Sequence, residues 1–88
     1  MKAIITVVGK DSKGIVAGVS GKIADLGMNI DDISQTVLND YFTMMALVSW
    51  EEKKDFTQLR QEFDTFGDSL HVKINIQSTA IFDAMHNL

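Results

Sequence analysis

The 88-residue chain contains no cysteine and no proline. Without cysteine, disulfides, thiolate metal sites and cysteine nucleophiles are all excluded. Basic residues are few as well, since eight Lys and Arg stand against twelve Asp and Glu for a net charge of −4. The chain therefore has no strong attraction for nucleic-acid phosphates or anionic membranes. It also lacks an apolar run near the ~18 residues of a membrane span and a signal-peptide cleavage pattern, so we expect a cytoplasmic protein.

What the chain does contain is a hydrophobic pattern that predicts six elements in the order β-α-β-β-α-β. The predicted strands cover residues 2–8, 29–38, 41–50 and 71–77. The first helix begins after Gly14 and stops at Gly27, and the second begins at the capping box of Asp55 and Gln58 and stops at Gly67. This order consists of two β-α-β halves, which with right-handed crossovers give an α+β, ferredoxin-like sandwich. We predict a single domain over residues 1–88, with a four-stranded antiparallel sheet and both helices on one face.

The strands differ in their apolar content. The first and third are the most apolar, as expected for the two central strands of this topology, and Met44 and Met45 read as core filler on the third. The second strand alternates, with Asp31, Ile33, Gln35 and Val37 on one face and Ile30, Asp32, Ser34, Thr36 and Leu38 on the other.

The first strand is apolar on both faces, because Ile4 and Val8 alternate with Ile5 and Val7. The helices cover only one face of such a sheet. We therefore expect the second face to be covered by the C-terminal segment or by another subunit. The C-terminal segment has Ile81, Met85 and Leu88 at i, i+4 and i+7, a spacing compatible with a short helix that docks on the domain.

A stripe of small residues, Ala17, Gly21 and Ala24, follows the first helix at i, i+4 and i+7. Glycine inside a helix costs about 0.5–1 kcal/mol relative to alanine. Close approach of the same helix of a symmetry-related chain is one explanation, which makes the stripe a candidate dimer interface. The other explanation is that these residues lie on the solvent face.

The sequence lacks the residues that several other activities of this fold require. The third strand carries neither the glycines nor the basic residue of an RNA-recognition motif. Asp31 and Asp32 leave a strand on opposite faces and cannot share a proton. His71 and His86 have no partner at a suggestive spacing. We therefore predict no catalytic residues, no metal site and no cofactor, and we do not expect an enzyme.

The loop before the first helix is more informative. A helix N-terminus exposes backbone N–H groups and a partial positive charge, which suit a carboxylate. Gly14 would let a ligand approach that backbone closely, and Asp11 could accept hydrogen bonds from a ligand ammonium group. Both features together suit a free amino acid. The alternative is that Asp11 or Ser12 only caps the helix.

Residues 9–17, followed by Val19-Ser20, Ile23-Ala24 and the run from Gly27 to Thr36, resemble the signature of an ACT domain. The match is similar to small stand-alone ACT proteins grouped with glycine-cleavage regulators, and to the ACT module of formyltetrahydrofolate deformylases. Many members of the family have Arg-Pro before the glycine, where this chain has Ser12-Lys13.

The resemblance implies a regulatory module that binds a small molecule, often an amino acid, at the interface of a dimer or higher oligomer. It places ligand contacts on Asp11, Ser12, Gly14 and the backbone of Ile15 and Val16, and a cross-interface contact on the amide of Asn29. The signal would then pass to a partner protein. The rival hypotheses are a protein-interaction module without a ligand and an enzyme subunit that completes a site on a partner.

Overall fold

The computed structural model describes residues 1–10 and 14–80, and it confirms the predicted fold. Its elements are β1 (Lys2–Gly9), α1 (Ile15–Asp25), β2 (Asn29–Leu38), β3 (Tyr41–Ser49), α2 (Phe56–Leu70) and β4 (Lys73–Ser78). The strands form one antiparallel sheet in the order β2-β3-β1-β4. The two apolar strands, β1 and β3, occupy the centre as predicted.

The core lies between the sheet and the two helices. It takes alternate residues of the strands and one stripe from each helix, because successive strand side chains point to opposite faces. Its main members are Ala3, Ile5, Val7, Val19, Ile23, Phe42, Met44, Ala46, Val48, Leu59, Phe63, Ile74 and Ile76. Met28 and Trp50 close the end of the core where β2 begins and β3 ends.

The end of α1 follows the sequence prediction. Gly27 has a φ of 75°, in the left-handed region that favours glycine. Its N–H donates to Ala24 O at 2.9 Å, and the N–H of Met28 donates to Ile23 O at 3.1 Å. These two bonds satisfy carbonyls that the helix leaves free, so α1 stops there and the chain turns into β2.

The predicted end of α2 was wrong. The Asp55 cap is confirmed, since its carboxylate accepts from the Thr57 N–H at 2.9 Å, but the helix continues past Gly67 to Leu70. The left-handed residue is His71, with a φ of 59°. A Cβ atom on Gly67 would lie 2.8 Å from the carbonyl oxygen of Val72. Gly67 therefore permits close packing inside the helix, and β4 begins after His71 rather than at it.

The alternation predicted for β2 fails at its start. Ile30 pairs with Val48 and Asp32 pairs with Leu47, so Asp31 forms a bulge. An extra residue in one strand shifts every side chain before it to the other face. Ile30 therefore lies on the helix side with Ile33, and not beside Asp32 as predicted.

The face of the sheet away from the helices is apolar along its centre. Met45 is 46% exposed there, next to the half-buried Ile4 and Leu47 and the exposed Val8 and Tyr41. Met45 was therefore wrongly predicted to be core filler, because only Met44 faces the helices. The predicted C-terminal stripe of Ile81, Met85 and Leu88 lies outside the described residues.

Candidate functional site

The amino end of α1 begins at Gly14, whose φ is 73° and which caps the helix without a side chain. No side chain in the described residues bonds to the first turn. The N–H of Gly18 donates to Gly14 O at 2.9 Å, so the N–H groups that precede it in the helix have no intrahelical partner. This end can therefore accept a carboxylate. The predicted contacts Asp11 and Ser12 lie outside the described residues.

The side chains of Ile15 and Val16 belong to the core and not to a binding surface. Ile15 is buried and Val16 is half-buried against the same cluster. A Cβ atom on Gly9 would lie 3.5 Å from Ile15 Cδ1, which places the amino end of α1 beside the end of β1. The side chain of Ile15 is therefore closed to a ligand, whereas that of Val16 is partly exposed. The family resemblance implies a role only for the backbone groups of these two residues.

Asn29 lies at the opposite end of the sheet. It pairs with Ser49, which also pairs with Lys2, whereas Gly9 pairs with Phe42. The seven residue steps of β1 between these rows span about 23 Å at ~3.3 Å each. Within one chain, Asn29 is therefore too far from Gly14 to share a ligand the size of an amino acid.

The small-residue stripe of α1 is on the surface. Ala17, Gly21 and Ala24 are all exposed, and a Cβ atom on Gly21 would meet nothing within 4 Å. Gly18 is different, because a Cβ there would lie 3.3 Å from Leu70 Cδ1. The packing of α1 on α2 therefore explains Gly18, whereas no contact among the described residues explains Gly21.

The sequence did not single out the edge strand β2 as a surface of interest. All ten of its residues are exposed, and its outer edge is unpaired within residues 1–10 and 14–80. Ile33 and Val37 lie on the helix side of the sheet, yet they are 38% and 66% exposed. Apolar residues at alternate positions could have pointed to this surface, but the same pattern also describes a covered strand.

Other kinds of site find little support. The described residues contain no group of three His, Asp or Glu side chains placed to hold a metal ion. Neither α1 nor α2 is long and apolar enough to cross a membrane. A cavity of about 190 Å³ lies between Ile4, Ser34, Met45 and Leu47 on the open sheet face, and neither Gly14 nor Asn29 lines it.

The fold and the open amino end of α1 define a ferredoxin-like sandwich with a candidate anion site at its first helix. The sequence model of the ACT domain matches residues 2–77. The chain belongs to the ACT domain family, a class of regulatory ligand-binding modules.

Close relatives match over the whole length. A UPF0237 protein of Streptococcus pneumoniae is 76% identical over 88 residues, which is all of both chains. A UPF0237 protein of Listeria monocytogenes is 49% identical over 89 residues, again all of both. A solved ACT domain protein from Streptococcus pneumoniae superposes with a TM-score of 0.90 at 78% identity, over 93% of each chain.

More distant structures share the fold alone. A candidate glycine cleavage system transcriptional repressor has a TM-score of 0.79 at 18% identity and covers 86% of this chain and 45% of its own. A formyltetrahydrofolate deformylase from Burkholderia mallei has a TM-score of 0.77 at 17% identity and covers 90% of this chain and 28% of its own. The family resemblance drawn from residues 9–36 is confirmed by the ACT domain model over residues 2–77 and by the Streptococcus pneumoniae structure.

Proposed function

We propose that this ACT domain is a sensor that binds a free amino acid between two copies of the chain and passes the signal to a partner protein. The observation that carries the proposal is the amino end of α1, where Gly14 caps the helix without a side chain. Stability alone favours a Ser, Thr, Asp or Asn cap at such a position, because a side-chain acceptor is worth about 1 kcal/mol.

Two copies are needed because the two halves of the site, the amino end of α1 and Asn29, lie at opposite ends of the sheet within one chain. Ala17, Gly21 and Ala24 form an exposed small stripe centred on the middle of α1. If two α1 helices cross antiparallel there, Ala17 of one copy faces Ala24 of the other. The same two-fold axis moves the Gly14 end of one copy toward the Asn29 end of its partner.

The edge strand β2 supports the same arrangement. Its ten residues present an edge that no other described strand pairs with, and a long exposed edge is a surface that another strand can join. Antiparallel pairing of two β2 strands about their centre would bring Asn29 of one copy beside Leu38 of the other. Leu38 pairs with Tyr41, next to the row of Gly9 and Phe42, at the Gly14 end of the sheet.

The chemistry of the combined site suits a zwitterion. The free N–H groups of the first turn of α1 would bind the ligand carboxylate, helped by the positive end of the helix. Asp11 of the same chain would accept from the ligand ammonium group. The side-chain amide of Asn29 from the second copy would donate to the carboxylate, so that ligand binding and dimer formation stabilise each other.

The second candidate function is an interaction module with no ligand. The exposed side chains of Ile33 and Val37 favour it, because an apolar edge suits a protein partner as well as a second copy. A thermal-shift screen with the twenty amino acids separates the two. A ligand at 100 times its Kd adds about 2.7 kcal/mol, and each kcal/mol moves the Tm of a domain this size by ~4–8 °C.

We therefore expect a rise in Tm on the order of ten degrees with the true effector. A flat response to all twenty amino acids at millimolar concentration would favour the module without a ligand. Once an effector is known, Asp11→Ala and Asn29→Ala should each weaken its binding by more than about tenfold, since each removes a hydrogen bond to a charged group.

Mixing those two variants tests the shared site directly. A mixed dimer has one site with both residues intact, so free exchange of subunits should restore about a quarter of the sites at wild-type affinity. Calorimetric titration of the mixture counts them. If the mixture binds no better than either variant alone, the two residues do not act across a dimer.

A further inference from the structure

The open face of the sheet carries an apolar area that the proposed dimer leaves uncovered. Its centre is the row formed by Ile4 and Leu47 and the adjacent Met45, around the 190 Å³ cavity. Toward the other end of this face the apolar surface is interrupted by polar side chains, since Thr43 lies between Val8 and Thr36. The part near Ile4 is therefore the part that most needs a cover.

The end of the described chain lies beside the start of β1, next to that part of the sheet. Ser78 pairs with Ala3, next to Ile4. Its hydroxyl accepts from the Ala80 N–H at 3.2 Å, and Thr79 donates its hydroxyl to the carbonyl oxygen of Lys2 at 3.4 Å. Thr79 and Ala80 are helical, and a serine hydroxyl that accepts from the second helical N–H is an N-cap. The chain therefore leaves β4 with a capped helical turn beside the start of β1.

The length and the pattern of the remaining sequence fit the uncovered area. Ten residues from 79 to 88 span about 15 Å as a helix. The distance across the sheet from β4 to β2 is three strand spacings, or about 14 Å. Ile81, Met85 and Leu88 are spaced to form one apolar face.

We propose that residues 81–88 of the same chain dock across the open face and cover Ile4, Met45 and Leu47. A helix about 10 Å wide covers two rows of side chains, so the row of Val8 and Thr43 stays open. The segment covers the apolar face that the two helices do not reach, and it leaves the outer edge of β2 and the amino end of α1 accessible.

Cysteine alkylation in the 88-residue chain tests this, because its sequence has no cysteine. Met45→Cys places a thiol under the proposed segment, and Val8→Cys places a matched thiol on the same face outside it. Adding Met85→Glu, which breaks the apolar stripe, should speed alkylation at position 45 about tenfold and leave position 8 unchanged. The control change, His86→Glu, lies off the stripe and should leave both rates unchanged.

Equal rates at position 45 with and without Met85→Glu would overturn the proposal. So would protection at position 45 that grows with protein concentration, because that result would assign the cover to a second copy. Circular dichroism and urea unfolding of each variant establish that the rates compare folded proteins.

Discussion

The two helices of this domain differ in how their amino ends are capped and in what surrounds their internal glycines. α2 has 15 residues, an Asp55 cap that accepts from Thr57 and an internal glycine, Gly67, that a close backbone contact requires. α1 has 11 residues, a glycine cap with no side chain and an exposed Gly21 that no contact requires. The features of α2 serve its own stability. Those of α1 cost stability. Within the described residues they leave an amino end with no side-chain cap and an exposed stripe of small residues, which is where we place the function.

Among the variants that test this comparison, we expect the largest change in the free energy of unfolding for Gly67→Ala in α2. The new methyl group would lie 2.8 Å from the carbonyl oxygen of Val72, and overpacking of this kind costs about 1–3 kcal/mol. The gain in helix propensity from removing a glycine is ~1 kcal/mol, so the net loss is up to about 2 kcal/mol. Urea unfolding should show a net loss of stability, and an unchanged midpoint would mean that α2 can shift away from β4 at little cost.

Asp55→Ala should have the next largest effect. It removes the acceptor of the Thr57 N–H at 2.9 Å, and loss of a cap costs about 0.5–2 kcal/mol. The control is Asp68→Ala near the other end of the same helix, where a negative charge is unfavourable. Thermal unfolding should show a lower Tm for the first variant only. Equal changes would indicate that α2 does not depend on its cap.

Gly21→Ala should have the smallest effect and the opposite sign. Its methyl group meets nothing within 4 Å, so unfolding of the dilute protein should show a gain of about 0.5–1 kcal/mol from helix propensity. A loss of stability at low protein concentration would show that α1 is packed within the chain at this position.

The larger variant Gly21→Leu separates stability from assembly. Its side chain should leave the fold of one chain intact but separate the proposed pair of α1 helices. Sedimentation at several protein concentrations should therefore show dissociation for Gly21→Leu relative to the natural chain. An intact dimer in the leucine variant would place the interface elsewhere, such as at β2 alone.

The order of the elements could be predicted because local periodicity carries it. Val19 and Ile23 mark one helix face, and Gly27 marks its end, since both signals depend on residues close in sequence. Gly67 gave the same local signal as Gly27, but its neighbours Val72 and Ile74 approach it only in the folded chain. A glycine needed for a turn and one needed for close packing look alike in a sequence.

The candidate site likewise has a part that could be predicted from local sequence and a part that could not. The start of α1 after Gly14 could be predicted from the loop, because a helix start is a local event. The separation of Gly14 from Asn29 could not, since the two are only 15 positions apart in the sequence yet lie at opposite ends of the sheet. The helix between them carries the chain from one end to the other.

The sequence by itself determined the two βαβ halves, the core stripes of the helices and the membership of residues 9–36 in a family signature. Tertiary structure alone decided the bulge at Asp31 that places Ile30 on the helix side of the sheet, the continuation of α2 to Leu70 and the exposure of Met45. The physical reason is range. Hydrophobic periodicity depends on residues within a few positions of one another, whereas strand register and close packing involve residues that are far apart in sequence.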